Sequence, residues 1–165
     1  AQTTAMDEYT RRDFLAAFDN DPDETLVGFA ILGGIFSEGI DLTADRLIGV
    51  GIVSVGLPGI STENDLLRDY FDLQDEPGFE YAYQLPGLNH VLQAAGRLIR
   101  TVHDHGVILL MDRRFSANRY TRYFPPHWQY HRTLYKQDDL APTIQQFWQM
   151  IDAEKEAADE NQTHA

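Results

Sequence analysis

Three short, unbroken apolar runs most restrict what this chain can fold into. They are "LVGFAIL" at 26–32, "LIGVGIVSV" at 47–55 and "GVILLMD" at 106–112. Each has the length of a buried strand, and a run apolar at nearly every position predicts a strand covered on both faces. Between and around them lie helical patterns. Residues 11–18 place Phe14, Leu15 and Phe18 on one side. "STENDLLRDYFD" carries Ser61 or Thr62 near its cap. The pattern over 88–102 is a strong helix. Residues 117–124 form a shorter one, and 141–158 a long amphipathic one through Ile144, Phe147, Trp148 and Ile151. "DEPGFEYAYQLPG" reads as an irregular loop, "FPPHWQYH" as an aromatic, proline-interrupted loop, and "NQTHA" as a frayed end. The order predicts an α/β fold: a parallel sheet with helices on both faces. Three strands are few for such a sheet, and the first helix has no earlier strand to cross over from. The expectation is a fragment lacking upstream strands, with one domain over 1–140 and an appended helix and tail over 141–165.

Composition narrows the function. The chain has 165 residues, 43% of them hydrophobic, and no cysteine, which removes disulfides, thiolate metal sites and Cys nucleophiles. It contains no apolar run long enough to span a membrane and no signal peptide, so the expected location is cytoplasmic, with no membrane partner. A net charge of −13 argues at first against nucleic acid. The charge is not evenly spread, however. Between Gln93 and Lys136, eight Arg and Lys oppose only Asp104 and Asp112, a net of +6 that leaves −19 elsewhere.

Within that block, "VLQAAGRLIRTVHD" spaces Gln93, Arg97, Arg100 and Asp104 at intervals of 4, 3 and 4. On a continuous helix these share one narrow face, opposite Val91, Ala95, Leu98 and Val102. A merely solvated face would favour Lys and Glu. Here there are two Arg, a Gln and a Gly, and Gly costs about 1 kcal/mol relative to Ala inside a helix. Planar, always-charged guanidinium groups one turn apart fit phosphate recognition.

"QAAGRLIR" is similar to motif VI of superfamily 2 helicases, and "RLIRTVHDHGVILLMDRRF" resembles more narrowly the DinG/XPD group. "GGIFSEGIDL" at 33–42 resembles that group's motif V, in the same order and spacing. The likeness covers roughly residues 11 to 124. Ala44, and Gly59 after Leu57-Pro58, depart from the group's usual residues but lie outside its phosphate-facing positions. The resemblance implies the second RecA-like motor domain of an ATP-dependent DNA helicase moving 5′ to 3′ on single-stranded DNA. It implies Arg97 and Arg100 as catalytic arginine fingers and Gly39, Asp41 and Gln93 at the ATP. Ser37 and Glu38 would lie on the nucleic-acid track, with Arg119 and Arg122 as further contacts. Asp104, Asp112 and Arg114 would give structural support. ATP with Mg²⁺ would be held mainly by the first RecA-like domain, which is also the partner, alongside single-stranded DNA. No phosphate loop and no acidic magnesium-binding box occurs in the sequence, as fits a second domain. The group's cluster-binding cysteines also belong to the first domain, so an iron–sulfur cluster concerns the parent protein and not this chain.

Rival readings attach to several residues. Glu38 and Asp41 could form a paired acid and base for another hydrolysis. The runner-up for the whole chain is a non-catalytic nucleic-acid- or partner-binding module of helicase-like fold. His103 and His105, or His127 and His131, lack the three or four converging ligands of a metal site, so no metal is expected in this chain. Trp128 and Tyr130 fit base stacking or ordinary packing.

Overall fold

Two of the three apolar runs pair. In the computed structural model, β1 (Gly49–Val53) and β2 (Val107–Met111) form a two-stranded parallel sheet, with Gly49 opposite Val107 and Val53 opposite Met111. The ladder extends on both sides: Val107 N–H donates to Ile48 O (3.1 Å) and Ser54 N–H to Met111 O (3.4 Å). The structure describes residues 2, 6–18, 25–34, 36, 47–99, 101 and 104–163. The readings for Ser37, Glu38, Gly39, Asp41, Arg100 and His103 lie outside those residues. Two compact units make up the chain, 1–122 and 123–165.

The third run departs from expectation. Residues 25–31 form no strand, and their apolar side chains face outward, with Phe29 69% exposed. Gln2 occupies backbone groups that a ladder would use. Its N–H donates to Phe29 O (2.7 Å), and its side-chain oxygen accepts from Ile31 N–H (2.9 Å). Gly28 lies against Phe14 of α1 (Glu8–Ala16) and Phe18 just past its end, with no room for a Cβ at 2.7 Å from the Phe18 ring. Nor is β1 covered on both faces: Ile52 is buried while Val53 is 70% exposed. Apolar composition set the strand, but the two small residues Gly49 and Gly51 leave one face with little to bury.

α1 starts earlier than the periodicity indicates, because Asp7 caps it by accepting from Thr10 N–H (2.8 Å). α2 (Thr62–Asp72) starts where its cap predicts, with Ser61 Oγ accepting from Asn64 N–H (3.1 Å). The supposed loop before the third helix is instead helical. A π-helical turn, Glu80–Gln84, runs directly into α3 (Leu85–Ala95). Pro86 has no N–H to give to the carbonyl four residues back, and the wider π register accommodates that loss.

α3 stops at Ala95, well short of 102. Gly96 is its C-cap, and Arg97 and Leu98 follow in tighter turns through N–H bonds to Ala94 O (3.3 Å) and Ala95 O (3.1 Å). Gly96 is the weak point for helix propagation, and Leu98, 4% exposed, turns inward against Gly106 just before β2. Beyond β2, a 3-10 turn (Arg113–Ser116) leads to α4 (Asn118–Thr121), shorter than the pattern over 117–124. In the second unit, Phe124, Trp128 and His131 form an edge-on aromatic cluster. α5 (Leu140–Thr163) follows and takes in the first residues of the supposed frayed end.

Candidate functional site

Three segments meet at the C-terminal end of β1. Gly56 has φ +67°, and a Cβ there would sit 2.7 Å from Gly87 O and 2.9 Å from the Leu32 side chain. Gly87 in turn faces Val55 O and Gly56 at 2.8–2.9 Å. Backbone therefore touches backbone where the N-terminal half of α3 crosses the strand end, which only glycine permits. Gly33, at φ +76°, lies under the imidazole of His90 on α3, 3.3 Å from where its Cβ would be. The start of "GGIFSEGIDL" is thereby held against the helix that carries Gln93. Phe36, 4% exposed, anchors the same segment on the other side, its ring 4.8 Å from Phe14 and beneath the Arg11 guanidinium.

The predicted single helical face does not exist as drawn. Gln93 is exposed on the last turn of α3, and Arg97, half-buried, already lies past the helix end. Asp104 lies in a separate local turn, where its carboxylate accepts from Thr101 N–H (2.8 Å). Spacings of 4, 3 and 4 align residues only while the helix continues, and Gly96 ends it. The opposite, apolar side does bury: Val91, Ala95 and Leu98 are each under 5% exposed.

At the end of β2, Asp112 and Arg114 form a two-pronged pair. Arg114 Nε donates to Oδ1 (3.0 Å) and Nη2 to Oδ2 (2.7 Å), while Arg114 N–H also donates to Oδ1 (2.8 Å). These hydrogen bonds, side chain first and then backbone, lower the Asp112 carboxyl to about 2. Arg114 Nη2 reaches across to Ser54 Oγ (3.2 Å). Ser54 holds φ +73°, a left-handed conformation rare for a residue with a side chain. The two strand ends are thus tied together at the edge where open α/β sheets place ligands.

The basic block divides. Arg119 is exposed, its guanidinium 5.6 Å from the centre of the Tyr120 ring. Arg122 forms an ion pair with Glu80 of the π-helical turn. Sequence reasoning did not single out Glu80, Gln84, Ser54 or His90. The lone signal was a buried-type pattern broken by Gln84, the one buried polar side chain among the described residues. No three His, Asp or Glu side chains are grouped to hold a metal ion among the described residues, and no described helix is long and apolar enough to cross a membrane.

Residues 1–131 match the family model described as helicase C-terminal domain. Over 102 residues the chain is 31% identical to a probable ATP-dependent helicase of Methanocaldococcus jannaschii, covering 56% of this chain and 16% of that protein. It is 31% identical over 96 residues to the general transcription and DNA repair factor IIH helicase subunit XPD/RAD3 of Saccharomyces cerevisiae, covering 54% and 12%. It is 32% identical over 135 residues to a regulator of telomere elongation helicase 1 homolog of Aedes aegypti, covering 76% and 13%. The chain thus spans no more than about a sixth of the length of these relatives. With most of its length inside the family model and its motif segments joined at one strand end, the chain belongs to the helicase C-terminal domains of the XPD- and DinG-type helicases.

Proposed function

We propose that the chain is the second, RecA-like motor domain of an ATP-dependent DNA helicase, acting over 1–140 with the 141–165 segment appended. The observation that best supports this is the junction at the C-terminal end of β1. Gly56 and Gly87 bring the strand end and the motif VI helix into backbone contact, and Gly33 seats motif V's first residues against His90 of that helix. In this reading Gln93, Gly39 and Asp41 face the ATP bound by the first domain. Arg97 and Arg100 cross the cleft to stabilise charge on the transferring phosphoryl group, an effect worth roughly 10³–10⁵ in rate in related chemistry. Having Arg97 beyond the helix end suits this role, since a turn residue can extend away from the helix axis. Ser37, Glu38 and Arg119 lie toward single-stranded DNA. Asp112, Arg114 and Asp104 hold the strand ends and the turn after Arg97.

Among the described residues no three His, Asp or Glu side chains are grouped to hold a metal ion, and in this reading Mg²⁺ is held by the first domain. Any iron–sulfur cluster belongs to the parent protein's first domain. The experiment uses the full-length protein and the 165-residue chain side by side. The full-length protein should hydrolyse ATP and the chain alone should not, because the chain has no phosphate loop to hold the nucleotide. Arg97→Ala should cut turnover at least 100-fold (~10²) with nucleotide affinity changed far less, as should Arg100→Lys to a smaller degree. Parent-like turnover in both variants would leave the non-catalytic binding module as the better reading.

A further inference from the structure

The π-helical turn before α3 holds the basic segment after β2 by two independent bonds. Gln84, 3% exposed, donates from Nε2 to the Arg119 carbonyl oxygen (2.6 Å). Glu80, one turn earlier, has only 16% of its side chain exposed and pairs with Arg122. Thirty-five and forty-two residues separate these partners in sequence. Between them Tyr120, 1% exposed, and Phe115, 5% exposed, meet edge-to-face and plug the same segment into the core. A buried amide bonded to a distant carbonyl, next to a half-exposed ion pair, specifies position more than it adds stability. Both arginines are exposed, but Arg122 pairs with Glu80 whereas the Arg119 guanidinium lies over the Tyr120 ring.

We propose that Arg122 is a positioning residue that, with Glu80 and Gln84, sets α4 so that Arg119 is presented to the phosphates of a single strand. This rests on the DNA-binding part of the proposed function and takes Arg122 out of the contact surface. The π-helical turn and α3 are continuous, so the segment that offers Arg119 is tied through Gln84 to the helix that carries Gln93. A guanidinium already paired with a mostly covered carboxylate is a poor phosphate ligand, because a phosphate must compete with Glu80 for it.

The test is a charge swap in the 165-residue chain, which keeps net charge constant. Hydrogen exchange reports on the backbone of 119–122, and labelled 20-nucleotide oligothymidylate at low salt reports on binding. Arg122→Glu alone should speed exchange at those amides about fivefold, the factor for an ion pair at the upper end of the exposed range. It should also weaken oligonucleotide binding. Glu80→Arg with Arg122→Glu should restore both exchange and affinity to within about twofold of the parent. Exchange unchanged in Arg122→Glu overturns the proposal, as does a swap that restores exchange but binds as weakly as Arg122→Glu, which would make Arg122 a direct contact. If the parent chain binds no oligonucleotide at any salt, the DNA reading fails, and the exchange data alone decide whether the pair positions α4.

Discussion

Arg114 grips Asp112 with both prongs of its guanidinium while its own N–H caps the same carboxylate, and its Nη2 crosses to Ser54 on the neighbouring strand. One side chain thereby joins the C-terminal ends of β1 and β2. Its effect is measurable through pH.

Asp112 has its carboxyl lowered from 3.8 to about 2 by Arg114. A depressed acid stabilises the folded state above its unfolded pKa, and that contribution is lost as pH falls from about 4 toward about 2. Asp112→Asn should therefore lower stability at pH 6 and show a shallower loss of stability between pH 4 and pH 2 than the parent chain. Urea unfolding across that range checks it. Parallel pH profiles would mean the pair is not formed in solution.

Ser54 combines a left-handed backbone with a useful hydroxyl. Ser54→Ala keeps the strain and loses the oxygen, while Ser54→Gly loses the oxygen but relieves the strain. The glycine variant should be the more stable of the two by about 1 kcal/mol. Paired denaturation curves measure the difference, and equal midpoints would contradict the left-handed geometry.

Gly87 faces Val55 O and the Gly56 backbone where a Cβ would find contacts under 3 Å. Gly87→Ala should destabilise the chain by about 1–3 kcal/mol, the range for overpacking against atoms that cannot move aside. Gly59, with open space around its Cβ position, is the control: Gly59→Ala should lie within about 0.5 kcal/mol of the parent. Similar midpoints for both variants would remove the close crossing of α3 over the end of β1.

Arg119→Glu should weaken binding of single-stranded DNA and reduce the slope of log affinity against log salt by about 1–2, counting the lost cation and the added repulsion. Because the remainder of the chain is acidic, parent binding should itself be weak at physiological salt. Anisotropy titrations over a salt series measure both. An unchanged slope would place the strand away from Arg119.

The sequence by itself determined the family, two of the three strands and the start of α2. Paired motifs are recognised residue by residue, the runs around Ile52 and Leu109 have strand length, and Ser61 caps a helix three residues from its partner. These are local properties, so local patterns carry them. Only the tertiary structure decided the rest. "LVGFAIL" has the composition of a strand, yet Gln2 bonds its backbone at Phe29 and Ile31, and α1 lies against Gly28. The periodicity through Arg97 and Asp104 is perfect for a helix, yet Gly96 ends it and Leu98 turns toward Gly106. The aromatic stretch before Leu85 looked irregular because π register has no apolar period that a 3.6-residue pattern detects. The partners of Gln84 and Arg122 lie dozens of residues away, at a distance where spacing in sequence says nothing about contact in space. A charge count could show that a basic block exists, but only the folded chain shows that Arg122 pairs with Glu80 while Arg119 lies over Tyr120.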